Sequence, residues 1–314
     1  MHLPRRRFNF DGLVRRCNTH DPSLYLPLTV EANAHTPPSV VGLVRRDRVA
    51  KLQPFQHVFD WTRIHEAVHL RSAFTSEPQR TAAMQEVAMA LKAESWRNEA
   101  YGAARPDDNE PWFRIDRSAS TFFGISQFGC HLNGYVRHSP QPNEHGHSLS
   151  VWLGVRSSGK AICPGKLDTL VGGGLPWDMS PLDNMFKEAE EEAGLSRIEI
   201  HRSIRSTGAL TYRNDEVHGY KHNTMFTFDV ELPSTWQPEN VDGEVDSFQL
   251  WPVDDVLCHM QSNPEAFKPD VCLVLLDFCV RHGVLSAADF ERPGDYSALC
   301  SNLHAFHGSS AIVL

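Results

Sequence analysis

The chain has 314 residues, of which 41% are hydrophobic and 22% are charged, and its formal net charge is −9. This length exceeds what one hydrophobic core ordinarily organises, so we expect two folded domains. The negative charge argues against a surface that binds nucleic acid. The sequence lacks a run of about 18 apolar residues, so it predicts no membrane-spanning helix.

The seven cysteines are scattered through the chain without C-x-x-C spacing, and their number is odd. Free thiols in this pattern are typical of the reducing cytosol rather than of a secreted, disulfide-stapled protein. The arginine-rich N-terminus contains no apolar signal core. We therefore predict a cytoplasmic protein.

Residues 1–128 are predicted to form an N-terminal α+β domain. Short apolar runs at 39–44 and 49–52 flank a basic turn, and residues 80–94 have the apolar spacing of an amphipathic helix. The segment HEAVH at 65–69 matches the zinc motif H-E-x-x-H. Three fixed letters without an identifiable third ligand are weak support, so we interpret these histidines as ordinary structural residues and predict no zinc site.

Residues 129–285 are predicted to form a second domain, followed by a C-terminal tail at 286–314. Strands are expected at 130–137, 149–155, 198–200, 206–212 and 223–232, and helices at 254–260 and 270–282. Strands followed by helices in this order predict a mixed sheet between helical layers. The tail is expected to contain a turn at 293–296, and 311–314 is either a last strand or a frayed end.

The stretch 172–195, GGGLPWDMSPLDNMFKEAEEEAGL, combines a glycine-rich loop with a short helix. Ser180 is a good N-cap, Pro181 suits the first helical position, and Gly194 supplies the stop. Apolar residues recur at helical spacing and predict the buried stripe of this helix. They are Leu182, Phe186, Ala189 and Ala193.

Glu188, Glu191 and Glu192 share one face of this predicted helix. Like charges repel, and the C-terminal half of a helix already carries the negative end of its dipole. A hard divalent cation would reverse this cost, because Mg²⁺ prefers oxygen ligands and leaves positions for water and phosphate. The alternative is a solvated acidic face on which Lys187 pairs with Glu191.

The same stretch resembles the Nudix box, G-x5-E-x7-R-E-U-x-E-E-x-G-U, where U is aliphatic. Gly173 takes the first glycine, Glu188 the glutamate of the R-E pair, Glu191 and Glu192 the E-E pair, and 194–195 the close. The resemblance implies an α/β fold, an α/β/α sandwich with a mixed sheet, preceded here by the smaller α+β domain. It also implies a hydrolase that uses Mg²⁺ or Mn²⁺, with the three glutamates as metal ligands.

Two positions depart from the box. Lys187 replaces the arginine, which keeps a cation but loses the bidentate fork. Met179 replaces the first glutamate, so whatever that residue orients must be held in another way.

Further segments resemble one Nudix subgroup with an uncharacterised N-terminal domain, related to the Nudix part of thiamine pyrophosphokinase fusions. These segments include GCHLNGYV, DGEVDSFQLWPVDDV and LVLLDFCVRHG. The subgroup implies a diphosphatase that converts thiamine diphosphate, or its oxidised and damaged analogues, to the monophosphate. It also shows a Leu or Met type residue at the place of Met179.

Cleavage of a diphosphate requires charge stabilisation on the phosphate oxygens and an activated water. The three box glutamates would hold the metal, and one of them, or Glu244 on its loop, would act as general base. Candidate substrate contacts are Gly173, the basic residues Arg156, Lys160 and Lys166, and two aromatic residues for a flat heterocycle, Tyr212 and Phe226. Surface charge and core packing are the ordinary roles of such residues.

Two other functions stay open. A Nudix hydrolase of a nucleoside diphosphate derivative or an isoprenoid diphosphate would share the box. A catalytically silent Nudix domain would bind a diphosphate as a sensor. Each predicts a small-molecule diphosphate partner, no nucleic acid and no membrane, and leaves room for a homodimer.

Overall fold

The computed structural model describes residues 7–31, 37–105, 108–139 and 147–304, with the side chain of residue 93 left out. The elements of the first part of the chain are α1 (Asp11–Arg16), β1 (Tyr25–Val30), β2 (Ser39–Arg45), β3 (Val68–His69), α2 (Glu77–Lys92), β4 (Ala100–Ala103), β5 (Phe113–Asp116) and α3 (Arg117–Phe123). Strands β2, β1 and β3 form a small sheet in that order, and β4 pairs with β5. Helix α2 agrees with the helix predicted at 80–94.

The second part of the chain contains a seven-stranded sheet in the described residues. Its elements are β6 (Ser126–Arg137), β7 (Leu149–Arg156), β8 (Leu167–Thr169), β9 (Val171–Gly174), α4 (Pro181–Ala193), α5 (Arg197–Ile200), β10 (Arg205–Glu216), β11 (Gly219–Glu231), β12 (Val245–Pro252), α6 (Val253–Ser262), α7 (Pro269–Arg281) and α8 (Pro293–Leu303). The order is β10-β11-β6-β7-β12, with β8 on β7 and β9 on β6. Strands β6 and β11 are parallel and the other pairs are antiparallel, so the sheet is mixed.

Separate hydrophobic cores cover the two faces of this sheet. On one face, Phe186 of α4 and Ile200 of α5 pack with Leu132 of β6. On the other face, α6, α7 and α8 pack with Val151 of β7, and α1 joins them through Val14. The predicted α/β/α sandwich, preceded by a smaller α+β region, is therefore confirmed.

Two local predictions were wrong. Residues 198–200 lie in the short helix α5, because Ser196 and Glu199 form a capping box that starts a helical turn. Residues 293–296 are the first turn of α8, where Pro293 occupies the first helical position and Leu299 and Leu303 are buried against the second core. The prediction for 311–314 lies outside the described residues.

The tip of the β10–β11 hairpin contacts the first part of the chain. The hydroxyl of Tyr25 donates to Asp215 Oδ1 at 2.7 Å, and Arg45 donates to the carbonyl of Glu216 at 3.2 Å. Gly219 at the tip has φ 149°, and a Cβ there would collide with the carbonyl oxygen of Thr121. The absence of a side chain at Gly219 is thus required for the close contact between the two regions.

The structure also bears on two expectations about the class of protein. All seven cysteines are free thiols. Across the described ranges, no helix is both long enough and apolar enough to cross a membrane.

Candidate active site

Helix α4 begins and ends where the sequence predicts. The Ser180 Oγ accepts a hydrogen bond from the backbone N–H of Asp183 at 3.1 Å, and Gly194 adopts the left-handed conformation at φ 66°. The predicted buried stripe needs one correction. Leu182 is 43% exposed, and Met185 is fully buried in the core beneath the helix instead.

The three consecutive glycines Gly172–Gly174 lie in β9, paired with β6. A Cβ on the first would lie 3.0 Å from the ring of His131, and one on the second would overlap the Glu188 carboxyl group. One on the third would lie 2.6 Å from the hydroxyl of Tyr101 and 2.7 Å from Nη1 of Arg117. The missing side chains therefore let four different side chains approach one short stretch of backbone.

Glu192 is buried against this glycine strand, with 5% of the residue exposed. Its Oε2 accepts the backbone N–H of Gly172 at 2.9 Å. The pKa of Glu192 is raised to about 8, chiefly by burial and also by the negative charges of Glu188 and Asp168, while the hydrogen bond from Gly172 and the charge of Lys160 oppose the shift. A carboxylate in this position needs more positive charge than the described residues provide.

Glu188 lies over Gly173, and its side chain is 16% exposed. Burial raises its pKa as well, and the neighbouring cation Lys187 opposes that shift. Two adjacent buried carboxylates with raised pKa values form the donor set that a hard divalent cation prefers. The chemistry of Glu188 and Glu192 therefore fits the metal that the sequence predicts.

Glu191 is arranged differently. Its side chain is 47% exposed and pairs with Lys187, whose Nζ lies 2.6 Å from Glu191 Oε2 and 3.3 Å from Glu188 Oε1. This is the i,i+4 pair that the alternative interpretation of the acidic face expects. Among the residues that the structure describes, no three His, Cys, Asp or Glu side chains converge on one point in a manner suited to a metal ion.

Lys160 and Glu244 form an ion pair beside these carboxylates. Burial lowers the pKa of Lys160, while the nearby charges of Glu192 and Asp242 raise it. The Glu244 carboxylate is 46% exposed. Lys160 thus pairs with Glu244 on its loop and interacts electrostatically with Glu192 of α4.

The other two predicted basic contacts have structural partners. Arg156 donates to Asp168 Oδ2 at 2.8 Å and to the carbonyls of Ile162 and Cys163, with 13% of its side chain exposed. Lys166 pairs with Glu265 at 3.7 Å, beside the start of α7. Arg156 thus braces its own loop and Lys166 pairs with a residue near α7, while their assignment as diphosphate contacts stays a prediction.

Tyr212 is not available for stacking on a substrate. It is 3% exposed, and its hydroxyl donates to Asp270 Oδ2 at 3.1 Å and accepts from Asn223. The predicted substrate contact is therefore corrected to a core residue. Phe226 is half-buried and stacks on Phe128 with ring centroids 6.3 Å apart.

The structure places at the site three residues to which the sequence analysis gave no function. Two of them are Tyr101 and Arg117. Both come from the first part of the chain and contact Gly174. A third, Asp168, lies behind Gly172 and pairs with Arg156 and with Lys268, at 3.7 Å. Asp168 could have been noticed as a carboxylate within an apolar strand, whereas the other two give no local signal.

The HEAVH segment at 65–69 does not form a helix. His65 is exposed in a turn, and His69 lies in β3. The Nδ1 of His69 is 2.8 Å from Thr29 Oγ1, and its Nε2 is 3.4 Å from Glu31. The two imidazoles therefore share no helical face.

Comparison with known proteins finds two family models that match this chain. The family model described as "NUDIX domain" matches residues 142–270, and the model described as "Domain of unknown function (DUF4743)" matches residues 9–127. The chain is 34% identical over 303 residues to Nudix hydrolase 24, chloroplastic, of Arabidopsis thaliana. The aligned region covers 93% of this chain and 78% of that protein. Nudix hydrolase 20, chloroplastic, of the same plant is 34% identical over 286 residues, with 87% and 72% covered.

A third relative, an uncharacterized protein of Saccharomyces cerevisiae, is 29% identical over 220 residues, with 67% of this chain and 61% of that protein covered. The Nudix match and these relatives define the class, a hydrolase that acts on pyrophosphate bonds. The chain belongs to the Nudix hydrolase family. Members of this family generally use divalent cations such as Mg²⁺ or Mn²⁺.

Proposed function

We propose that this Nudix hydrolase converts thiamine diphosphate, or its oxidised and damaged analogues, to the monophosphate. The observation that carries the hydrolase chemistry is the burial of Glu192 against the N–H of Gly172, beside Glu188. The thiamine substrate rests on the resemblance of several segments to the subgroup described above. Phe226, stacked on Phe128, is retained as the candidate surface for a flat heterocycle.

Glu188 and Glu192 would hold the divalent cation, and Glu191 would join them by leaving Lys187. When bound, the cation lowers the pKa of a water molecule and neutralises charge on the phosphate oxygens. Lys160 carries a positive charge beside Glu192 and would contact a non-bridging phosphate oxygen. Once a phosphate engages Lys160, its partner Glu244 is released as a carboxylate.

Attack of water on phosphorus breaks the bond to the bridging oxygen and gives a monophosphate and inorganic phosphate. The attacking water must lose a proton, so a carboxylate has to accept it. Glu244 is the accessible candidate, and the box glutamates are the alternatives. A Glu244→Gln variant that keeps substrate affinity but loses turnover would identify Glu244 as the base.

The test is phosphate and monophosphate release from thiamine diphosphate, its oxidised analogues, ADP-ribose and NADH, with Mg²⁺ and with EDTA. Glu192→Gln protein, purified in parallel, controls for contaminating phosphatases. Preferential cleavage of the thiamine compounds is the expected result. Cleavage of the nucleotides alone would replace the substrate class, and binding without turnover would identify a sensor.

The domain limits 1–128, 129–285 and 286–314, a homodimer and a cytoplasmic location also belong to the proposal. The cytoplasmic location rests on the free cysteines, whereas the names of the two plant relatives place those proteins in the chloroplast. Limited proteolysis, light scattering and microscopy of a fluorescent fusion would test the three points separately.

A further inference from the structure

We propose that Arg117, a residue of the first domain, binds the substrate diphosphate opposite Lys160. The inference deepens the proposed function and rests on it, since it places a second cation at the same site. It makes the first domain part of the active site rather than an independent unit.

The guanidinium of Arg117 lies close to the glycine strand. Arg117 is the first residue of α3, fixed by the Asp116 side chain, which accepts the backbone N–H of Ser118 at 2.9 Å. The Arg117 guanidinium lies over the glycine strand, where a Cβ on Gly174 would be 2.7 Å from Nη1 and 2.9 Å from Cζ. Gly174 follows directly after Gly173, the glycine that Glu188 covers. Arg117 therefore reaches the strand on which the buried carboxylates converge.

Part of the Arg117 guanidinium is accessible to a ligand. The Arg117 side chain is 42% exposed, and its guanidinium lies 5.9 Å from the centre of the Tyr101 ring. Its Nη1 donates to both carboxylate oxygens of Glu99, at 3.2 and 3.0 Å. Within the described part of the chain, Nε and Nη2 of Arg117 donate to no protein acceptor. A guanidinium with an open edge is suited to bidentate binding of phosphate.

The charges around Arg117 also favour a bound anion. Burial opposes the charge of Arg117, but Tyr101, Glu99 and Glu188 together raise its pKa. Arg117 is also among the positive charges that lower the pKa of Lys160. Arg117 thus interacts with Glu188 and Lys160 with Glu192, one turn further along α4, and a dianionic ligand between the two cations would relieve their mutual repulsion.

The Arg117 guanidinium is not needed to hold the two domains together, because other residues make the contacts between them. Arg114 pairs with Asp178 at 3.2 Å, and the hydroxyl of Tyr101 donates at 3.3 Å to the carbonyl of Phe128 in β6, a strand of the seven-stranded sheet. The backbone N–H of Trp177 donates to the carbonyl of residue 100 at 3.2 Å. The hydrogen bonds of the Arg117 side chain, in contrast, go to Glu99 of its own domain.

The experiment measures binding of methylenediphosphonate, a diphosphate analogue that cannot be hydrolysed, to the full chain with Mg²⁺ by isothermal titration calorimetry. Arg117→Gln should weaken binding roughly 10- to 100-fold, the range for loss of charge-assisted hydrogen bonds. Arg117→Lys should recover part of this loss, since it keeps the charge without the fork. The matched control is Arg114→Gln, which removes a neighbouring arginine that pairs with Asp178 and with Glu77, and it should leave binding unchanged.

Glu99→Gln provides a second variant that does not remove the arginine. It should tighten binding, because Glu99 competes with phosphate for Nη1 of Arg117. With thiamine diphosphate as substrate, Arg117→Gln should raise KM more than it lowers kcat.

Unchanged binding by Arg117→Gln, or an equal loss in Arg114→Gln, would overturn the proposal, as would a wild-type protein that does not bind the analogue. Wild-type protein that binds the analogue but hydrolyses no diphosphate would refute the proposed function alone. The comparison of Arg117→Gln with Arg114→Gln would still decide the role of Arg117 in that case.

Discussion

Two short motifs in this chain differ in whether they form the helix that their spacing predicts. HEAVH at 65–69 has the spacing of a zinc helix, yet His65 lies in a turn and His69 in a strand. The box at 172–195 forms its expected helix and places the carboxyl groups of Glu188 and Glu192 against the glycine strand. The difference lies in the flanking residues, because only the box carries its own N-cap, N1 proline and C-terminal glycine.

The comparison teaches that spacing predicts a site only where the local sequence also enforces the element. Ser180, Pro181 and Gly194 fix the limits of α4 without help from the rest of the chain. Residues 65–69 have no such signals, so their conformation follows from the pairing of β3 with β1. The following predictions test this contrast, in order of decreasing effect.

The largest effect is expected from the box carboxylates. Glu192→Gln and Glu191→Gln should each lower kcat for diphosphate hydrolysis by roughly 10²- to 10⁴-fold, because each removes a negative charge needed for the chemistry. Circular dichroism and thermal melts should show that both variants still fold. The control is Glu190→Gln, on the exposed side of the same helix, which should retain activity. Full activity in both variants would remove the box from the mechanism.

The glycine strand should be the next most sensitive part. Gly174→Ala places a Cβ against Tyr101 and Arg117, and the overlap should lower the free energy of unfolding by about 1–3 kcal/mol. Gly159→Ala is the matched control, since a Cβ there meets nothing closer than 3.8 Å. Urea denaturation measures both, and equal stability of the two variants would show that the domains do not approach each other at residue 174.

The HEAVH segment should affect stability and not metal content. His69→Leu leaves the buried hydroxyl of Thr29 without its partner, which should cost about 1–3 kcal/mol of unfolding free energy. His65→Gln, at an exposed position, should be neutral. Elemental analysis should give the same zinc content for both variants and wild type, and loss of stoichiometric zinc in either one would restore the zinc interpretation.

The smallest effect is a pH dependence. Burial lowers the pKa of His69 in the folded protein below its ordinary value, more than the negative charge of Glu31 raises it. Stability from neutral His69 is therefore complete above the unfolded pKa of about 6.5 and is lost as the pH falls through the folded pKa. His69→Leu should show a shallower loss of stability below pH 6.5 than wild type. Parallel curves for the two proteins would contradict a buried neutral imidazole.

Much of the second domain follows from local sequence. Helix α7 is predicted from its apolar residues, and strand β11 from its alternation, because each pattern is complete within about a dozen residues. The side chains of the site are less predictable. The spacing of Glu191 and Glu192 puts both on one helix face, but the rotation of α4 against the sheet decides which is buried.

Tyr212 and Arg117 show two further limits. Alternation assigns Tyr212 to one face of its strand, but not whether helices cover that face, and here α7 does. Arg117 precedes Gly174 by dozens of residues, and their contact depends on how the two domains pack. Such a contact has no local signature in the sequence.

The contact at Gly174 also limits how this protein can change over generations. A Nudix domain with a larger residue at 174 would pack less well against this N-terminal partner, and a partner with a smaller residue at 101 would leave a gap over the glycine strand. Exchange of either domain by recombination would therefore need a matching change in the other. The two domains are expected to be inherited as one unit, with residues 101, 117 and 174 varying together.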